Sequence, residues 1–176
     1  MEIASYPEFT RVEEQLLSLG FRRDEPALIC RWFMDDLILD LMPTDPSILG
    51  FSNSWYTPAL KGAKTIRIDE HSVRVITAPF FLATKLEAFR GRGGSDYRMS
   101  HDLEDIITVI DGRPELVGEV SESPTDLCQH LSAEFRALLA NPEFCDALPG
   151  HLLPDPASQQ RITIVLSRIQ QIIDQT

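Results

Sequence analysis

The spacing of the apolar residues changes near Pro79, and this change constrains the fold more than any other feature of the chain. Before Pro79, short apolar runs of strand-like composition occur in pairs. After it, apolar residues recur every three or four positions, which is the spacing of one helix face. Strands followed by helices are typical of an α+β protein. We therefore predict a helix plus two hairpins over residues 1–78, and a helical part over residues 79–176 that packs on them in one compact domain.

The turn residues define the hairpins. Ala27–Met34 and Leu37–Met42 flank Asp35-Asp36, and the strands Thr65–Asp69 and Ser72–Thr77 meet at Glu70-His71. Apolar stripes and helix start and stop residues then predict helices in the following segments: 6–19, a short one before Lys61, one carrying Leu82, Leu86 and Phe89, one carrying Leu103, Ile106 and Ile110, and 114–120, 125–140 and 157–174.

Cysteine usage and hydropathy exclude several classes of protein. The chain has three cysteines without a CxxC pair, which argues against a disulfide framework or a zinc site. No apolar run approaches the ~20 residues that a membrane-spanning helix needs, and the first residues lack the basic segment of a signal peptide. We therefore expect a cytoplasmic protein without a membrane partner.

The net charge of -11 argues against general nucleic-acid binding, because phosphate contacts need Lys and Arg. The charge is uneven, however, since residues 61–98 hold eight basic and four acidic side chains. A basic middle between acidic flanks favours a phosphate-bearing ligand. Alternatively, its strand residues, Lys61, Lys64, Arg67 and Arg74, simply face solvent.

Asp40 is the first candidate site residue. Strand alternation places it on the same face as Ile38 and Met42, where a carboxylate is costly to bury unless it is paired or binds a metal. Such a charge points to a functional site. The alternatives are a strand-end carboxylate in solvent, or a partner for Arg31 on the adjacent strand.

Lys85 and Asp102 form the second candidate site, on successive predicted helices that flank a basic glycine loop over residues 91–95. Ser100 is suited to cap the second helix, which places Asp102 in its first turn and Asp105 on the same face. A Lys and an Asp so placed would hold a phosphate and orient a nucleophile. The alternative is a capped helix with a surface ion pair.

Five segments resemble a bacterial nucleotidyltransferase-like family related to the AbiEii toxins of abortive-infection and type IV toxin–antitoxin systems. They are residues 30–32, 39–45, 49–56, 81–90 and 101–106, within a resemblance that extends from Ile3 to the last helix. It implies the nucleotidyltransferase fold, a short mixed or antiparallel sheet flanked by helices, with a helical C-terminal half.

The resemblance also implies the roles of individual residues. Asp40 corresponds to the third metal-binding carboxylate of a site for two Mg²⁺ ions, which would clamp the nucleotide phosphates. Lys85 and Asp102 correspond to the catalytic Lys and Asp of the helical motif, although His101 stands where an Arg is common. We therefore expect Lys85 and Asp102 to approach one another near Asp40, because a shared phosphate site requires their convergence. Arg90 and Arg92 beside the glycine loop are the expected nucleotide-binding residues.

The family's Gly-Ser turn and Asp-x-Asp strand would precede Met1, so we expect no nucleotide transfer by this chain unaided. Three hypotheses remain: a transferase with a misassigned start, a nucleotide-binding pseudoenzyme, and a structural or protein-interaction module. The expected partners are a nucleoside triphosphate with an unknown acceptor and a cognate antitoxin-like protein. We also expect a homodimer, because an uncovered strand edge beside Asp40 favours pairing with a second chain.

Overall fold

A computed structural model describes residues 2–23, 30–92 and 95–175 of the chain. The described residues divide into two compact units, with the boundary between Leu60 and Lys61. The division at residue 78 that the apolar spacing indicates stays a prediction.

The first unit is built on helix α1 (Tyr6–Ser18) and the hairpin of β1 (Arg31–Met34) and β2 (Leu37–Asp40), followed by the short helix α2 (Pro46–Leu49). The apolar face of α1 packs in a core around the fully buried Trp32. Asp35 turns the hairpin with a φ of 48°, a left-handed conformation that Asp tolerates better than most residues.

Helix α3 (Tyr56–Gly62) crosses the boundary, and the second unit then continues with the hairpin of β3 (Lys64–Ile68) and β4 (His71–Val75). The helices that follow are α4 (Ala78–Gly91), α5 (His101–Gly112), α6 (Leu116–Ser121), α7 (Thr125–Leu139), α8 (Pro142–Ala147), a 3-10 helix (Leu148–His151), α9 (Pro156–Gln160) and α10 (Ile162–Ile173). Buried side chains of α4, α5, α7 and α10 form the core of this unit.

The second hairpin has one apolar and one polar face. Its register pairs Ile66 with Val73 and Lys64 with Val75, so these four residues share a face. Thr65, Arg67, Ser72 and Arg74 share the other face. All ten strand residues are exposed, so neither face is closely packed against the rest of the described chain.

The predicted α+β class and the helical C-terminal half are confirmed. In the described ranges the strands form two separate two-stranded antiparallel sheets, so a mixed sheet is not seen there. No described helix is long and apolar enough to cross a membrane.

Several predicted boundaries are wrong. The strands of the first hairpin are shorter than predicted, and residues 27–29 of the first strand lie outside the described residues. The second turn comes one residue earlier, at Asp69, whose φ of 51° is again left-handed. Lys61 lies in a helix instead of a strand. The last predicted helix is divided at Arg161, whose backbone N–H bonds three residues back, to Ser158, and so tightens the turn.

Candidate functional site

Helices α4 and α5 carry the candidate site of the second unit. Pro79 in the first turn of α4 suits a helix start, and Lys85 follows in its middle. At the start of α5, the Ser100 hydroxyl accepts a hydrogen bond from the Leu103 N–H at 3.4 Å. This cap fixes Asp102 in the first turn, where the helix dipole favours an anion.

Asp102 is the centre of a charged cluster. Lys85 Nζ donates to Asp102 Oδ1 at 3.3 Å and lies 2.5 Å from Asp105 Oδ2. Arg92, which follows α4 directly, binds Asp102 Oδ2 through Nη1. The Asp102 side chain is 3% exposed and that of Asp105 is 47% exposed. We call Lys85, Arg92, Asp102 and Asp105 the Lys85 cluster.

The burial of Asp102 explains this arrangement. A carboxylate removed from water is stable as an anion only when cations or donors replace its hydration, and here an ammonium and a guanidinium bind its two oxygens. Both cations keep contact with solvent, since their side chains are 27% and 72% exposed for Lys85 and Arg92. The cluster can therefore exchange a carboxylate oxygen for another anionic oxygen.

Phe81 lies one turn before Lys85 on α4. Lys85 Nζ is 5.7 Å from the centroid of the Phe81 ring, within the range of a cation–π contact. This contact favours a position of the Lys85 ammonium group over the face of the Phe81 ring.

The predicted approach of Lys85 to Asp102 is confirmed, and so is the Ser100 cap. The alternative of a surface ion pair fits the exposed Asp105, whereas Asp102 is buried. The catalytic roles of Lys85 and Asp102 stay predictions.

Arg90 contacts a different carboxylate. Its Nη2 lies 2.7 Å from Glu134 Oε2 on α7, and the Glu134 side chain is buried. His130, one turn earlier on α7, has Nδ1 4.0 Å from Glu134 Oε1. Burial lowers the pKa of His130, against the opposite effect of the Glu134 charge. Arg90 thus joins α4 to α7, and its predicted role in nucleotide binding stays a prediction.

His101 and Glu134 are two further titratable residues whose contacts the structure defines. His101 is exposed at the start of α5, and its Nδ1 lies 3.1 Å from Glu104 Oε2 on the next turn. The pairing of Glu134 with Arg90 is not predicted from the sequence. The feature that could have indicated it is the position of Glu134 between Leu131 and Leu138, on the apolar stripe of α7 that is buried in the core.

Asp40, in the first unit, is exposed, so it is not a buried carboxylate of the kind that points to a functional site. The hairpin register places Arg31 directly opposite it. Arg31 Nε and Nη2 donate to Asp40 Oδ1 and Oδ2 at 2.7 and 2.8 Å, a bidentate pair that also raises the pKa of Arg31. The alternative of an Arg31 partner is confirmed. The physical reason is that residues on both faces of β2 are exposed, so alternation does not bury one of them.

The described residues around Asp40 do not form a metal site by themselves, and the role of Asp40 as a magnesium ligand stays a prediction. Both carboxylate oxygens are bound to Arg31, and within residues 2–23, 30–92 and 95–175 no group of three His, Cys, Asp or Glu side chains has metal-binding geometry. Mg²⁺ prefers several oxygen ligands in near-octahedral geometry. We therefore derive no step through a metal ion. The grouping of Asp40 with Lys85 and Asp102 in one site stays a prediction.

Comparison of the chain with protein-family models, with curated proteins and with solved structures finds no match.

Proposed function

We propose that this chain is a nucleotidyltransferase-like protein of the AbiEii type that binds a nucleoside triphosphate at the Lys85 cluster. The observation that supports the proposal is the convergence of Lys85 and Arg92 on the buried Asp102. Lys85 lies on α4, Arg92 directly after it and Asp102 in the first turn of α5, so a ligand at the cluster would contact both helices.

The chemistry of the cluster suits phosphate. A phosphate oxygen can replace the half-exposed Asp105 as an acceptor of Lys85, because carboxylates and phosphates bind the same cations. Arg92 offers a planar fork of donors and Lys85 a compact charge, the two kinds of contact that phosphate sites combine. The buried Asp102 would hold both cations in place at the ligand.

A nucleotide-binding pseudoenzyme is the second candidate, and the Arg31–Asp40 pair favours it. A carboxylate whose two oxygens both accept from a guanidinium is a weaker metal ligand than a free one, because its charge is already compensated and part of its acceptor capacity is used. Under this candidate the chain binds the triphosphate but transfers nothing, and the Lys85 cluster keeps its binding role.

A transfer assay separates the two candidates. Labelled ATP, GTP, CTP and UTP are each incubated with the protein, magnesium or manganese, and a cell lysate as the source of acceptors. The variants are Asp102→Asn and Asp40→Ala, with Lys61→Gln as a control that removes one exposed positive charge outside the cluster.

Labelling that both Asp102→Asn and Asp40→Ala abolish, and that Lys61→Gln retains, supports transfer. Nucleotide binding without labelling, weakened in Lys85→Gln, supports the pseudoenzyme. A chain that neither labels an acceptor nor binds any of the four nucleotides contradicts both candidates.

We also infer that a second copy of the chain covers strand β2. Leu37, Ile38 and Leu39 are 58%, 62% and 39% exposed on a strand whose only described partner is β1. An apolar edge strand of this kind tends to pair with another chain. Light scattering should report a dimer that Ile38→Glu dissociates and that Leu153→Glu, at a similarly exposed position of the second unit, leaves intact. A monomeric wild-type protein would contradict this inference. The antitoxin-like partner stays a prediction.

A further inference from the structure

A cavity of about 600 Å³ lies in the second unit, between the hairpin of β3 and β4 and the helices α4, α5 and α6. Its volume falls in the range of about 300–1,000 Å³ that small-molecule sites occupy. Neither Lys85 nor Asp102 lines it. Phe81 contributes to the cavity wall and also contacts Lys85, so the cavity and the Lys85 cluster are neighbours with different linings.

Much of the cavity wall is apolar. Ile66 and Val75 reach it from the apolar face of the hairpin and are 42% and 40% exposed, while Phe81 reaches it from α4. Branched aliphatic side chains left this open to water gain free energy when an apolar body covers them. The wall therefore favours a ligand whose apolar part lies against these side chains.

Of the described residues that line the cavity, three carry a charge at neutral pH: Lys64, Arg113 and Glu119. Arg113 and Glu119 form a bidentate pair, with Nε and Nη2 donating to the carboxylate at 2.7 and 2.6 Å. This pair lowers the pKa of Glu119 and raises that of Arg113, so both stay ionised and balance each other.

Lys64 supplies the remaining charge. It is close enough to Glu119 for its field to help lower the pKa of that carboxyl, and it begins β3 at the exposed end of the apolar face. The cavity thus combines an apolar wall with one net positive charge in its lining, and charge complementarity favours an anionic group there.

We propose that this cavity binds a small amphipathic anion, with the apolar body against Ile66, Val75 and Phe81 and a single carboxylate at Lys64. The ligand class is that of a medium-chain aliphatic carboxylate. This inference does not rest on the nucleotide site, because the two linings share no charged residue and the experiment that tests it uses no nucleotide.

The experiment follows the fluorescence of 8-anilinonaphthalene-1-sulfonate, which itself joins an apolar body to one anionic group. The probe should saturate at one molecule per chain and be displaced by decanoate. Decanol and decyltrimethylammonium, which have the same chain without the negative charge, should displace it at least about tenfold less effectively, as expected for the loss of one charge-assisted contact.

Two pairs of variants locate the site. Lys64→Gln should weaken decanoate by about tenfold and leave decanol unchanged, whereas Lys61→Gln removes a nearby charge outside the lining and should have no effect. Val75→Trp should place a bulky ring inside the cavity against its apolar wall and weaken probe binding. Ser72→Trp adds the same ring to the same strand, at an exposed residue on the opposite face of the hairpin and outside the lining, and should bind as wild type does.

Saturable binding with this ranking of ligands and variants supports the proposal. Equal displacement by decanol and decanoate would overturn the assignment of an anion to Lys64. Wild-type probe binding in Val75→Trp, or no saturable binding by the wild-type protein, would overturn the cavity as the site.

Discussion

Replacing Asp102 with Asn tests the energetic weight of the buried carboxylate. Asn keeps the shape of the side chain but removes its charge, so Lys85 and Arg92 lose their shared anion and α5 loses a negative charge from its first turn. Charge-assisted hydrogen bonds contribute about 1.5–3 kcal/mol, and a first-turn charge contributes about 0.3–1 kcal/mol.

The exposure of Lys85 and Arg92 determines how much of this free energy of unfolding is lost in Asp102→Asn. Removing one partner of a fully buried ion pair costs about 3–5 kcal/mol, because the other charge stays buried. Here Arg92 is 72% exposed and regains water when it is released. We therefore expect Asp102→Asn to lower the free energy of unfolding by about 2–3 kcal/mol.

Asp105→Asn is the matched control, since Asp105 also contacts the Lys85 ammonium but is 47% exposed. A pair of that exposure contributes less than about 1 kcal/mol. Urea unfolding followed by circular dichroism at the helical band measures both variants against the wild type. Equal losses in the two variants, or a loss below about 0.5 kcal/mol for Asp102→Asn, would refute the argument that burial makes Asp102 the central charge of the cluster.

Three further predictions concern other parts of the fold. Gly62→Ala should lower the free energy of unfolding by about 1–3 kcal/mol in urea, because its Cβ would come within 2.7 Å of the Phe80 ring. Gly118→Ala, with open space at its Cβ, should be neutral or stabilising, and equal effects of the two variants would contradict this contact. The neutral form of His130 is favoured in the folded protein because burial lowers its pKa, so stability should fall as the pH drops below the ordinary value of 6.5; His130→Gln should reduce that fall, and the exposed control His71→Gln should not. Asp40→Asn should change the free energy of unfolding by less than about 1 kcal/mol, since the Arg31 pair is exposed; a larger loss would mean that the pair holds the hairpin together.

The elements that the sequence predicts best are those whose signals are local. Helix α5 is predicted from Ser100 and a single apolar stripe, and its cap is as expected. The starts of α8 and α9 are also marked by local signals, but these are capping residues and not apolar stripes. Asn141 and Asp155 each precede a proline and accept hydrogen bonds from backbone N–H groups two or three residues on, so they begin α8 and α9.

The environment of a strand is not a local property, and this is why the sequence leaves open whether Asp40 is buried. Alternation indicates which residues share a face of β2, but burial depends on whether another element covers that face. All four β2 residues are exposed, and the register brings Arg31 to Asp40. Strand-face arguments hold only where the covering layer is known.

The candidate site shows the same limit. Spacing along α4 and α5 allows Lys85 to approach Asp102, and the structure brings them together. The pairing of Arg90 with Glu134 joins residues far apart in the chain, and it depends on how α4 packs against α7. Periodicity marks Glu134 as unusual on its apolar stripe, but it does not identify the cation that compensates the charge.

The most direct test of the proposed nucleotide site is a calorimetric titration of the wild-type protein, Lys85→Gln and Lys61→Gln with ATP, with and without magnesium. Both substitutions remove one lysine charge, but only Lys85 belongs to the cluster around Asp102. We predict saturable binding by the wild type, binding at least about tenfold weaker in Lys85→Gln, and unchanged binding in Lys61→Gln. Equal affinities of the two variants, or no binding of ATP by the wild-type protein, would contradict the assignment of the Lys85 cluster as a triphosphate site.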